Sequence, residues 1–406
     1  MRKMIIALLA LCAMTITAQA EPVAGYRIGA VLPLSGLFGK DGAQIKDAYT
    51  FWAEHVNAQG GVLAGGRRHP VELVIYDDAS TPQRSQLLVR KLATADRVDL
   101  LLGGYGSSLV MAASAAGEAL GYPMISGGAS SNNLFERGYK YYFSTLGRAT
   151  DEVSGVVRAM AGLSPKPRTC AIIGSDIPFT ALACQGYRDQ ASTAGLEVVH
   201  YELFPLAMQD YNTVLAKAKA SGADVLLVGS HLQVALRVMR AMKEINYSPK
   251  AVAFSYGPTV PAFVQELGPD AEGVFAASEW TPNLPYDGPV FGSAAQFATA
   301  YRQRFGREPD YVEAAAVAGA VAQQLAVQEL GLTPPIDAAG RRAIMERLHA
   351  MDVMTFYGRI KFDADGANVA HPPVCVQVQD GKLACVYPQS ARTAPPRYPM
   401  KPWSQR

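Results

Sequence analysis

The chain of 406 residues carries 37 basic and 35 acidic side chains, with 49% hydrophobic and 9% aromatic residues. The near balance of charge argues against nucleic acid or an anionic membrane as the main partner. The apolar content, unbroken by long low-complexity tracts, excludes a disordered chain, and the length suits two or three domains.

In chain order, the first element reads as an export signal. Arg2 and Lys3 precede an uncharged apolar run, Met4 to Thr17, and Ala18-Gln19-Ala20 is a small-x-small cleavage site before Glu21-Pro22. The run is too short to span a membrane, and no later segment is long enough. Bulky Leu11 before Cys12 argues against lipid attachment. Residues 1–20 are therefore expected to be removed. Loss of Arg2 and Lys3 leaves 35 residues of each sign.

From there, β-rich runs alternate with helical stretches. Arg27–Leu32, Val71–Tyr76, Leu100–Gly103 and Pro123–Ser126 read as strands. The helical spacing of Ile45, Ala48, Tyr49, Trp52 and Val56 marks one helix between them, and Gln83–Ala95 and Leu109–Leu120 mark two more. The pattern is that of a parallel, doubly wound sheet. After a break near Arg148, Thr150 or Asp151 is placed to cap a helix reaching Leu163. Strands at Cys170–Ile173, Glu197–Phe204, Val225–Val228, Ala251–Phe254 and Gly273–Ala277 then build a second such unit. Three helices follow without strands between them: Phe291–Phe305, Val312–Leu330 and Asp337–Ala350. A strand at Gly358–Phe362, a hairpin and a Pro-rich extended tail from Tyr387 close the chain.

Past residue 20 there are four cysteines, Cys170, Cys184, Cys375 and Cys385, an even number in an exported chain. That count suggests disulfides. A three-residue loop Gln379-Asp380-Gly381 would set Cys375 opposite Cys385, whereas a two-residue Asp380-Gly381 turn would put them on opposite faces. Cys170 with Cys184 is the other candidate pair. No CxxC or paired-histidine spacing points to a metal.

Ligands of open parallel sheets bind beyond the carboxyl ends of the strands, near the switch point. Two loops lie there. Gly103-Gly104-Tyr105-Gly106-Ser107-Ser108 leads into a helix whose N-terminus, with the Ser107 and Ser108 hydroxyls, favours an anion. Ser126-Gly127-Gly128-Ala129-Ser130-Ser131 adds carbonyls and another hydroxyl. The pair suits a small carboxylate ligand. The enzymatic alternative, a secreted α/β hydrolase or dehydrogenase, lacks its motifs. Gly106-Ser107-Ser108-Leu109-Val110 is no nucleophile elbow, Gly104-Tyr105-Gly106 lacks the third glycine of a dinucleotide fingerprint, and neither HExxH nor a P-loop occurs. No cofactor is expected.

The opening Ile28-Gly-Ala-Val-Leu-Pro-Leu-Ser-Gly36 resembles that of the leucine/isoleucine/valine-binding proteins of bacterial ABC importers. So do Asn57-Ala-Gln-Gly-Gly-Val-Leu63, Val74-Ile-Tyr-Asp-Asp78, Glu136-Arg-Gly-Tyr139 and Asp270-Ala-Glu-Gly273, in the same order along nearly the whole exported chain. The resemblance implies an α/β type I periplasmic binding protein fold: two doubly wound lobes joined by a three-segment hinge near Arg148, Trp280 and Tyr357. Lobe 1 would hold 21–148 and 281–356, lobe 2 would hold 149–280 and 357–390, and 391–406 would form a tail.

The same resemblance implies a periplasmic monomer that captures an amino acid of branched-chain or hydrophobic type, or a related carboxylate, and delivers it to an inner-membrane ABC permease. Carried over by position, Ser107 holds the carboxylate, and Gly128 and Ser130 meet the polar head. Phe179 and His231 form second-lobe walls, and Asp41 stands where the family has an aromatic contact. Tyr256 stands where amino-acid binders of this family place the acid that meets the ligand ammonium. Either another acid serves, or the ligand is an aromatic or keto acid, with Phe38, Tyr105, Phe179 and Tyr256 as an aromatic pocket. A sensory binding protein built on the same clamp is a further alternative.

Overall fold

The computed structural model describes residues 24–406. The export signal read at 1–20 lies outside them. Among the described residues, no helix is long and apolar enough to cross a membrane.

Two sheets organise the chain. The first is built from β1 (Tyr26–Leu32), β2 (Val71–Asp77), β3 (Leu100–Leu102), β4 (Met124–Ser126) and β5 (Tyr142–Ser144), all parallel, in the order β2-β1-β3-β4-β5. The period of two along β1 decides which helices each face receives. Ile28, Ala30 and Leu32 pack with Ile45, Tyr49 and Trp52 of helix Gly39–Ala58 and with helix Tyr311–Leu330. Val31, with Leu101 and Met124, packs with Val89 and Leu92 of helix Pro82–Thr94 and with Ala113 and Ala116 of helix Ser107–Leu120.

The second sheet repeats the arrangement. Its strands are β6 (Thr169–Ser175), β7 (Glu197–Phe204), β8 (Val225–Gly229), β9 (Ala251–Phe254), β10 (Phe275–Ser278), β11 (Val374–Gln379) and β12 (Lys382–Tyr387). They run in the order β12-β11-β10-β9-β8-β6-β7, all parallel except β11, which lies antiparallel between β10 and β12. Helices Asn212–Ala220 and Leu232–Glu244 cover one face, and helices Ser154–Ala161 and Pro178–Ala191 the other. Both sheets thus have their switch point between the first and third strands of the unit.

Several expectations are corrected. The edge strand β5 was not read from the sequence; it is three residues long. The helix expected to run unbroken to Leu163 is split at Val153 into Ala149–Glu152 and Ser154–Ala161, and Arg148 precedes it without a side-chain cap. In the final hairpin Gln379 faces Lys382, so the loop is the two-residue Asp380-Gly381 turn, with φ of 53° and 70°. Its twist matches that of the strands. Cys385 therefore faces Val376, and Cys375 and Cys385 point into different cores. All four cysteines described are free and buried, so neither expected pair is formed. The Cys184 thiol instead points at the Ile173 carbonyl, 3.4 Å away, wedged against Gly174 and Gly229.

The tail is extended but firmly held. The Met400 amide donates to the Lys250 carbonyl at 2.7 Å, the Trp403 indole donates to the Tyr247 carbonyl at 2.8 Å, and Arg397 pairs with Asp380 and Glu272. The chain passes between the sheets three times. The first passage follows β5 and the second follows β10. After the third helix, residues 358–368 remain bonded to the first sheet: the Asn368 amide donates to the Ser144 carbonyl at 3.1 Å, and Phe362 packs on Phe143. The final passage therefore lies between Ala370 and Val374. Glu279 ties these passages together, accepting from the Gly147 amide at 3.0 Å and the Tyr357 hydroxyl at 2.9 Å.

Candidate ligand-binding site

The carboxyl ends of the two sheets face each other, and a cavity of about 270 Å³ lies between them. Its first wall is the β3 and β4 loops. Gly106, at φ 84°, turns the chain into helix Ser107–Leu120, and its amide donates to the Gly128 carbonyl at 2.9 Å. Glycine suits that left-handed position. The backbone N–H groups of Ser107 and Ser108 have no acceptor among the described residues, which leaves a helix N-terminus open toward an anion. The Ser107 hydroxyl accepts from the Ser131 amide at 3.1 Å.

The opposite wall comes from the second sheet. His231 directly precedes helix Leu232–Glu244, Phe179 sits in the first turn of helix Pro178–Ala191, and Tyr256 follows β9. The two walls touch. The Tyr105 hydroxyl lies 2.8 Å from His231 Nδ1, and the Tyr256 hydroxyl donates to Asp310 Oδ2 at 2.7 Å. Burial drives the His231 pKa down to about 3, so its ring is neutral.

Of the eight residues expected at the site, Tyr105, Ser107, Gly128, Ser130, Phe179, His231 and Tyr256 line this cavity. Ser108 does not; it is partly exposed one position along the helix. The Gly128 carbonyl, expected to face a ligand, already accepts the Gly106 amide. Sequence reasoning missed Glu152, Leu146, Tyr311 and Val312, which also line the cavity. Asp310-x-x-Glu313 is a capping box that starts helix Tyr311–Leu330 and so aims Tyr311 and Val312 inward. That signal was present in the sequence. Glu152 carried no signal beyond its place just past the Arg148 break.

Glu152 is the most consequential of these. It is 4% exposed, it accepts from the Ser130 hydroxyl at 3.0 Å, and its Oε1 has no partner among the described residues. Burial, and then the adjacent Glu279, hold its carboxyl well above the ordinary range. Glu279 is also raised by burial, but the Gly147 amide and the Tyr357 hydroxyl donate to it and favour its ionised form.

The matching family model, described as a periplasmic binding protein, spans residues 25–382. The chain belongs to the periplasmic binding protein family. Among relatives of this binding protein, the "Leu/Ile/Val-binding protein homolog 8" of Brucella suis biovar 1 (strain 1330) is 27% identical over 95% of this chain and 96% of its own length. The "Leu/Ile/Val-binding protein homolog 7" of Brucella abortus (strain 2308) is 25% identical over 97% and 99%. Among solved structures, the LivJ branched-chain amino acid transporter substrate binding protein of Streptococcus pneumoniae, in complex with isoleucine, matches with a TM-score of 0.77. It is 20% identical over 88% of this chain and 97% of that one. A solute binding protein of an ABC transporter from R. palustris, in complex with benzoate, matches with a TM-score of 0.76 at 18% identity over 92% and 98%. The fold is that of type I periplasmic binding proteins.

Proposed function

We propose that this binding protein is the solute-capturing component of an ABC importer, is exported to the periplasm, and takes a small ligand of amino-acid type. It works as a binder rather than as an enzyme. Lobe 1 is the first sheet with its helices, including residues 281–370. Lobe 2 is the second sheet with its helices and the 391–406 tail. The bonds of 358–368 to the first sheet support a third hinge strand after Ala370.

The observation that carries the ligand reading is the pairing of opposite polarities in one cavity. The open helix N-terminus at Ser107 suits a carboxylate, and the unpartnered Glu152 oxygen suits an ammonium. Tyr256 cannot supply that acid, because its hydroxyl is committed to Asp310. In this reading Glu152 takes the role that the family gives to an acid at the Tyr256 position. Phe179, Tyr105 and Tyr256 also favour a second reading, an aromatic carboxylate lying against their rings.

Calorimetry on ligand-stripped protein separates the two. Amino acids are expected to bind and release a proton from Glu152, so the heat depends on the buffer. Binding of benzoate or keto acids without proton release would favour the second reading. Ser107→Ala with Ser130→Ala should weaken binding by about 2 kcal/mol or more, since each removes a polar partner of a charged group. The melting temperature should change little. Unchanged affinity would remove the site assignment.

A further inference from the structure

A second cavity of about 200 Å³ adjoins the first, lined by Leu37, Phe38, Asp41, Leu206, His231 and Gln233 among others. His231 borders both. The Phe38 ring stands 5.0 Å from His231 and 5.9 Å from Tyr105, so an aromatic collar of packed rings stands between the two compartments. Asp41, from the first turn of helix Gly39–Ala58, is the one carboxyl among the described residues that line this compartment. It is 1% exposed, and its Oδ1 has no partner among the described residues. The cation nearest in sequence, Lys40, is taken by Glu266 of the other lobe at 2.6 Å.

We propose that the ligand reaches past His231 into this compartment and sets a second cationic group against Asp41, so that it is an α-amino acid ending in an ammonium or guanidinium. The inference rests on reading the central cavity as an amino-acid site. A buried carboxylate with a bare oxygen is costly, and a cation delivered by the ligand removes that cost. The collar adds its ring faces, which attract cations. Burial raises Asp41 to about 7; the Tyr105 hydroxyl opposes that rise, and the like charge of Asp310 adds to it. Three polar points then lie along one ligand: Ser107 for the carboxylate, Glu152 for the α-ammonium and Asp41 for the far end.

Calorimetry on the ligand-stripped protein, comparing lysine, ornithine and arginine with norleucine and methionine, tests this. The basic set should bind about thirtyfold tighter or more, the scale of a buried charge pair. In Asp41→Asn that advantage should shrink to about threefold or less. The comparison in the unaltered protein stands even if the variant folds poorly. Norleucine or methionine binding as tightly as lysine would overturn the second compartment and leave the amino-acid site intact. A lysine advantage that survives Asp41→Asn would overturn the role of Asp41. Binding by no amino acid at all would refute both readings together.

Discussion

At the scale of single residues, the cleft is governed by carboxyls that have been taken out of water. Asp41 and Asp310 are both raised to about 7, chiefly by burial. Asp41 faces Tyr105, Asp310 and Lys40, and Asp310 faces Tyr256, Glu313 and Thr259. A carboxyl raised on folding contributes stability that is complete below its unfolded value and is lost as pH climbs through the folded one. The ligand-free protein should therefore melt at a higher temperature near about pH 5 than near about pH 8. Asp41→Asn should flatten that slope. Ligand affinity should run the other way, because a ligand ammonium needs the ionised acids. Affinity for amino acids should rise with pH over the same window in titrations at fixed ionic strength. A flat affinity profile would mean that neither Glu152 nor Asp41 meets a cation.

At the scale of elements, helix Tyr311–Leu330 sets the position of half the cavity. Almost every residue along it is buried, and its backbone lies directly against Gly127. A Cβ on Gly127 would stand 2.2 Å from the Ala316 nitrogen, so Gly127→Ala must push the helix away. It should cost about 1–3 kcal/mol of stability by overpacking. It should also weaken ligand binding, because Asp310 and Tyr311 move with the helix. Denaturant unfolding and calorimetry on the same variant check both effects. The strand pattern of both sheets was legible in the sequence, since buried parallel strands read as short β-branched and aliphatic runs. The Gly-Ser loops were legible too, because their glycines mark turns beyond strand ends. The edge strand β5 was not: it is as short as β3 and β4, but Tyr142-Phe143-Ser144 lacks the aliphatic residues that mark those two. Glu152 was not, because its importance comes from two passages meeting at Glu279, a contact between residues far apart in sequence. The hairpin was misread for a related reason. Cysteine pairing was allowed to choose the register, whereas the twist of a two-residue turn decides it.

At the scale of the whole molecule, a few side-chain contacts join the two sheet units across the cavity, and in the proposed clamp they would hold it closed. Lys40 with Glu266 is half-exposed and worth at most about 1 kcal/mol. The two phenol contacts, Tyr105 with His231 and Tyr256 with Asp310, are buried. Tyr256→Phe would leave Asp310 without its phenol and should cost the closed form about 1–3 kcal/mol. Small-angle scattering should then show a larger radius at sub-saturating ligand than in the unaltered protein. An equal radius, with equal affinity, would mean that this contact does not hold the lobes together.

The repeated strand order has a further consequence. The two sheets are related as copies, each with its first and third strands flanking a switch point. The third strand of one unit leads through Tyr105 into helix Ser107–Leu120, and the third strand of the other leads through His231 into helix Leu232–Glu244. Tyr105 and His231 are thus near-equivalent positions of a pseudo-twofold, and they meet each other across it. Two identical halves would make a symmetric cleft with two identical helix ends. In this cleft Ser107 opens the first helix and His231 precedes the second, and that asymmetry lets the cleft tell one end of its ligand from the other.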